Sequence, residues 1–84
     1  MAEIPFVTSE TDLAAFLVLS GINLIGIQYE PRNSGKMRGL FVFTPDNKID
    51  DLRELFKSDN LSMNFPKFKQ IREDLLDRIM GELP

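Results

Sequence analysis

The sequence predicts an α+β fold: a small antiparallel hairpin sheet packed by three helices in the order α-β-β-α-α. Three observations predict it. A capped, strongly apolar segment runs from Thr8 to Leu19 and stops at Gly21. Two runs of strand length and strand composition, Ile22–Tyr29 and Met37–Thr44, flank a cluster of turn residues. Two further stretches, after Pro45 and after Asn64, repeat apolar residues at helical spacing. With 84 residues the chain is expected to form one domain, residues 1–84.

Residues 1–7 read as an extended lead-in, because Pro5 biases Ile4 away from helix. Phe6 and Val7 are expected to tuck against the core. Ser9 is the favoured N-cap of the first helix, its hydroxyl accepting from the amide of Asp12, with Thr8 as the alternative. Leu13, Phe16 and Leu17 share one helical face, while Ala14, Val18 and Leu19 cover much of the rest. A helix apolar nearly all round is a buried helix. Gly21 supplies the left-handed residue that ends it.

In the first strand Ile25, Ile27 and Tyr29 are expected on one face, with Leu24, Gly26 and Gln28 on the other. Gly26 marks a bulge or a close approach by the first helix. Pro31-Arg32-Asn33-Ser34-Gly35 is turn chemistry. The second strand places Gly39, Phe41 and Phe43 on one face and Arg38, Leu40 and Val42 on the other. Neither strand alternates cleanly between apolar and polar, so both faces of the sheet look apolar near the middle. Helices cover one face. The other is covered by the remaining helix or open to a partner.

Asp46 and Asn47 can cap a helix from about Lys48 to Lys57, with Ile49, Leu52, Leu55 and Phe56 as its inner stripe. Leu61-Ser62-Met63 alternates and is a candidate for a short third strand. The last helix starts at Asn64-Phe65-Pro66, the proline falling where its missing amide costs nothing. Phe68, Ile71, Leu75, Ile79 and Leu83 form its core stripe.

The segment Thr8-Ser9-Glu10-x-x-Leu13-Ala14-Ala15-Phe16-Leu17, then Gly21, Leu24-Ile25-Gly26-Ile27 and Phe41-Val42-Phe43, resembles a family of short phage and bacterial proteins. That family is known only as a domain of unknown function. The helix near Pro66, with Phe68 and a leucine-rich tail, is similar to its C-terminal part. The resemblance spans nearly the whole chain and implies a fold and a mobile-element setting. It implies no activity and no functional residues.

Composition narrows the chemistry. The chain has no His and no Cys, which removes the usual base near pH 7, the thiol nucleophile and the common zinc ligands. Neither phosphate-loop pattern occurs. Asp50, Asp51 and Glu54, and Glu73, Asp74 and Asp77, fall on outer helix faces; they read as solvated surface, with a weak Mg²⁺ site as the functional alternative. Ser9 and Ser20 sit at helix ends, which accounts for them. The expectation is therefore no enzyme, no metal and no cofactor. No run is apolar enough to span a bilayer, and the cysteine-free chain reads as cytoplasmic.

Two binding readings remain. A chain this short buries roughly 60 to 65% of its unfolded surface, so self-association is a cheap gain. The first reading is a non-catalytic protein-binding module, homodimeric, using Tyr29, Leu40, Phe41 and Val42 on the sheet. The alternative is nucleic-acid binding through Arg32, Lys36 and Arg38 at the turn, extended by Lys67, Lys69 and Arg72 if the last helix begins near it. The net charge of −3 weighs against the alternative.

Overall fold

The computed structural model describes residues 4–32, 35–58 and 64–82. Along the chain come β1 (Phe6–Thr8), α1 (Thr11–Leu19), β2 (Leu24–Pro31), β3 (Met37–Phe43), α2 (Lys48–Lys57) and α3 (Phe65–Glu82). The class is α+β, as expected, but the order is β-α-β-β-α-α. The third strand is the lead-in Phe6–Thr8, and Leu61-Ser62-Met63 lies outside the described residues. The sheet is antiparallel throughout, in the order β1-β3-β2.

The shape is flat, 38 × 37 × 21 Å. Sheet and helix layers pack about 10 Å apart, so a short axis of 21 Å holds two layers and leaves no room for a third. Among the described residues, helices therefore cover one face of the sheet only.

That covered face carries the core. Phe41 and Phe43 of β3 are wholly buried and meet Leu13, Ala14, Ala15 and Leu17 of α1, with Ile22, Ile49 and Leu75. Every residue from Leu13 to Leu17 is buried, as its all-round apolarity predicts. The alanines matter as much as the large residues. Ala14 and Ala15 are both at 0% exposure, and a small side chain lets neighbouring elements approach closely. Phe6 packs on Phe43 with ring centroids 6.5 Å apart, and Phe16 on Phe56 at 5.4 Å. Phe6 thus tucks inward, but Val7 does not: it lies on the uncovered face.

The helix ends follow local chemistry, with one correction. Glu10, not Ser9, occupies the N-cap of α1, and no side chain caps it. Instead the Glu10 amide donates to Thr8 Oγ1 at 3.1 Å, a turn that leads the chain out of β1. A strand ending at Thr8 leaves too little chain for Ser9 to cap. Gly21, at φ 94°, ends the helix as expected, with the Ile22 amide returning to the Leu17 carbonyl at 3.0 Å. Asp46 Oδ1 accepts from the Lys48 amide at 2.8 Å to open α2. Asn64 Oδ1 accepts from the Lys67 amide at 3.1 Å to open α3. Leu55 is 46% exposed and not part of the inner stripe, because it falls at the stripe's margin beyond Leu52.

The β2–β3 ladder contains the expected irregularity. Leu24 faces Phe43 and Gly26 faces Val42, so Ile25 is an extra residue. The bulge reverses the expected facing of Leu24 and Ile25. Leu24 joins Ile27 on the core side, while Ile25 is left 54% exposed. Tyr29 remains on the core side and reaches across: its hydroxyl donates to the Ile79 carbonyl at 2.6 Å. That carbonyl lies in the last turn of α3, where backbone acceptors lack intrahelical partners. Tyr29→Phe removes this link and is expected to cost about 0.5–1.5 kcal/mol, measured as a fall in urea midpoint. An unchanged midpoint would mean the bond adds nothing over solvent.

Candidate functional site: the open face of the sheet

Antiparallel pairing fixes which side chains share the uncovered face. Val7, Val42 and Gly26 lie abreast across β1, β3 and β2. Next toward the turn come Leu40 and Gln28, then Arg38 and Glu30. The last pair is an ion pair, Arg38 Nη2 to Glu30 Oε1 at 3.1 Å, with both side chains nearly half exposed. Ile25, thrown out by the bulge, adds to the apolar end. The face therefore runs from an apolar quartet, Val7, Ile25, Leu40 and Val42, to a charged pair near the turn. Val7 is 41% exposed and Ile25 54%, whereas Val42, on the central strand between them, is only 7% exposed.

The four sheet residues proposed from sequence are split by this geometry. Leu40 and Val42 stand on the open face. Phe41, wholly buried beneath α1, has no surface to offer a partner, because successive strand residues point to opposite sides. Tyr29 is half-buried on the core side with its hydroxyl committed to Ile79. Val7 and Ile25 belong to the patch and were not foreseen there. Neither had a sufficient local signal: Phe-Val-Thr is three residues long, and the extra residue at Ile25 shows only in the register with β3.

The basic residues do not merge into one patch. Arg32 and Lys36 are exposed at the turn, joined through the Arg32 amide and the Lys36 carbonyl at 2.8 Å. Arg38 is engaged with Glu30. It is the C-terminal part of α3 that lies near the turn, since Ile79 packs over Gly39. Lys67 and Lys69 begin the same helix at least ten residues earlier, about 15 Å away along its axis. Arg72 points to α1 instead, with Nε 2.6 Å from Asp12 Oδ1.

Surface grooves flank the sheet. One of about 390 Å³ lies beside β1, lined by Phe6, Thr8, Leu13, Phe56, Arg53 and Lys57 among others. The Arg53 guanidinium sits 5.3 Å over the Phe6 ring there. Another, about 530 Å³, runs between the start of β2 and α3 over Ile22, Leu24, Ile71 and Leu75, with Asp74 and Arg78 at its rim. Among the described residues no three carboxylates converge as metal ligands. No helix among them is long and apolar enough to cross a membrane.

No curated protein and no solved structure is significantly similar to the chain. A family described as a domain of unknown function (DUF5659) matches residues 4–81, which take in all three strands, α1, α2 and all but the last residue of α3. The architecture of sheet, open face and helical cover is thus that of a family domain, and the chain belongs to the DUF5659 family.

Proposed function

We propose that the chain is a small, non-catalytic protein–protein interaction module that offers the open face of its sheet to a partner. One observation carries the reading: Val7 and Ile25 stand exposed beside Leu40 and the largely buried Val42 on a face that no helix among the described residues covers. Fully burying one such side chain is worth about 1.5–3 kcal/mol, so covering the exposed parts of Val7 and Ile25 alone contributes a couple of kcal/mol to an interface. Size sets a limit. Three strands about 4.8 Å apart and at most about 26 Å long give a face of some 370 Å². A stable interface buries about 800 Å² on each side. The partner must therefore also grip the rim, where the Arg38–Glu30 pair offers both charges.

Self-association into a homodimer is part of this reading, since one layer of helices leaves half the sheet surface of a short chain in water. An accessory or inhibitor role in a phage or mobile element, acting in the cytoplasm, fits a domain with no His and no Cys. That setting rests on the family resemblance. The nucleic-acid alternative draws less support: of the three turn cations, Arg38 is already neutralised by Glu30.

The test is Leu40→Asp, which charges the middle of the face without touching the core. Circular dichroism is expected to match the wild type, while capture of the partner from the native host falls at least tenfold. Undiminished capture by the folded variant would move the interface elsewhere. Capture of nucleic acid alone would favour the turn.

A further inference from the structure

The groove beside β1 borders the edge of a strand. Phe6, Val7 and Thr8 all line it, although successive strand residues point to opposite faces of a sheet. A cavity bordered by all three runs along the strand's edge, on the side away from β3. The rest of its lining comes from Arg53, Phe56 and Lys57 of α2 and from the start of α1.

The hydrogen-bond phase turns one β1 residue toward this groove. In an antiparallel sheet each residue turns its N–H and C=O to the same side, and successive residues alternate sides. At one end of β3 the Arg32 amide donates to the Lys36 carbonyl at 2.8 Å, and at the other the Thr44 amide donates to the Asn23 carbonyl at 2.9 Å. Even-numbered residues of β3 therefore bond to β2, and Phe41 and Phe43 turn to β1. Their partners there are Thr8 and Phe6. Val7, between those two, turns its N–H and C=O outward. No hydrogen bond takes up either group among the described residues. Pro5, two residues earlier, has no N–H, so Val7 is the donor this edge offers.

The groove has a charge preference. Arg53 and Lys57 are four residues apart on α2 and share one helix face. The Arg53 guanidinium is stretched over the Phe6 ring, and its acid, Asp50, is 3.8 Å away and 89% exposed, a weak tie. Lys57 makes no ion pair among the described residues. With Glu10 as the acid among its lining residues, the groove is net positive in a chain of net charge −3.

We infer that the groove takes a short, extended, acidic segment of a partner protein, which adds beside β1 as a fourth strand. The inference rests on the protein-binding reading for the kind of partner and places a second contact apart from the open face. The segment's backbone exchanges two bonds with Val7. The residue opposite Val7 points to the open face, as Val7 does, so its two neighbours point toward α2. One neighbour carries the acid to Arg53 and Lys57; the other is apolar and rests on Phe6 and Phe56. A volume of about 390 Å³ is near the lower end for ligand sites, so the segment is short. The β1 edge of a second copy is a poor occupant. It brings its own Arg53 and Lys57 against the first pair, and like charges deter pairing at an edge.

The test is selection of random heptapeptides displayed on phage against the whole chain. Recovered peptides are expected to carry an acid two positions from an apolar residue. Their affinity, read by fluorescence anisotropy, is expected to fall about tenfold on the folded double variant Arg53→Gln, Lys57→Gln, and in part on Lys57→Gln alone, which touches no core residue. Leu40→Asp is expected to bind them as the wild type does. Full affinity for both groove variants, or no peptide recovered, overturns the inference. Peptides lost only on Leu40→Asp overturn it and favour the open face. A groove that takes inorganic phosphate or acetate but no peptide is a small-anion site, which also overturns it. Partner capture that survives Leu40→Asp and fails on the groove variants supports the groove and overturns the open face.

Discussion

Phe41→Ala is expected to cost about 3–5 kcal/mol, the range for truncating a fully enclosed aromatic. The side chain is at 0% exposure in the middle of the central strand, with α1 above it and Thr8 and Ile27 as its neighbours on either side. Little beside it can slide in to fill the space, because the sheet registers are pinned on both sides. Domains of this size hold roughly 0.05–0.15 kcal/mol per residue, or about 4–13 kcal/mol in total. The variant is therefore expected to lose at least about a quarter of its stability, with the urea midpoint dropping by about 2–5 M at an m-value near 1–1.5 kcal/mol/M. Val7→Ala, on the opposite side of the sheet, is the control and should cost under about 1 kcal/mol, since large losses come from core cavities. Comparable losses at the two positions would mean that the sheet is not one-sided.

Gly39→Val is expected to be the second large effect, about 1–3 kcal/mol and of opposite origin, since it crowds the core where the first change empties it. A Cβ at Gly39 would lie 3.2–3.3 Å from three side-chain atoms of Ile79, closer than such contacts normally run. Valine adds two methyls to that space. The same helix turn accepts the Tyr29 hydroxyl through the Ile79 carbonyl, so α3 cannot simply lift away without breaking that bond. The pair should be strongly coupled. Ile79→Ala alone destabilises by removing packing, but combined with Gly39→Val it makes room. A double-mutant cycle is expected to show a favourable interaction of about 1–2 kcal/mol. Strict additivity would mean that α3 does not rest on β3 at this point.

Much of this architecture was legible because the local signals agreed with one another. Gly21, Asp46 and Asn64 each ended or opened a helix where the sequence put it, since their chemistry acts within a few residues. The facing of β3 was legible from Gly39, Phe41 and Phe43 alone. The third strand was not. Phe6-Val7-Thr8 is too short for a pattern, and it becomes a strand only because β3, some 35 residues later, offers an edge. Ile25 was placed on the wrong face for a related reason. An alternation rule assumes one residue per step, and the extra residue is visible only in the partner's register. The open face itself was half legible. The sequence showed more apolar sheet surface than a half-wet sheet needs, but which face stays bare depends on how three helices divide the available space.

The bulge has one more consequence. Remove Ile25, and Leu24 and Gly26 would stand opposite Phe43 and Val42 in an uninterrupted ladder, every other side chain keeping its present side. The architecture is thus available to a chain one residue shorter. Length is not what Ile25 provides; it spends a water-averse side chain at the surface, a cost in solubility that is recovered only when something presses against it.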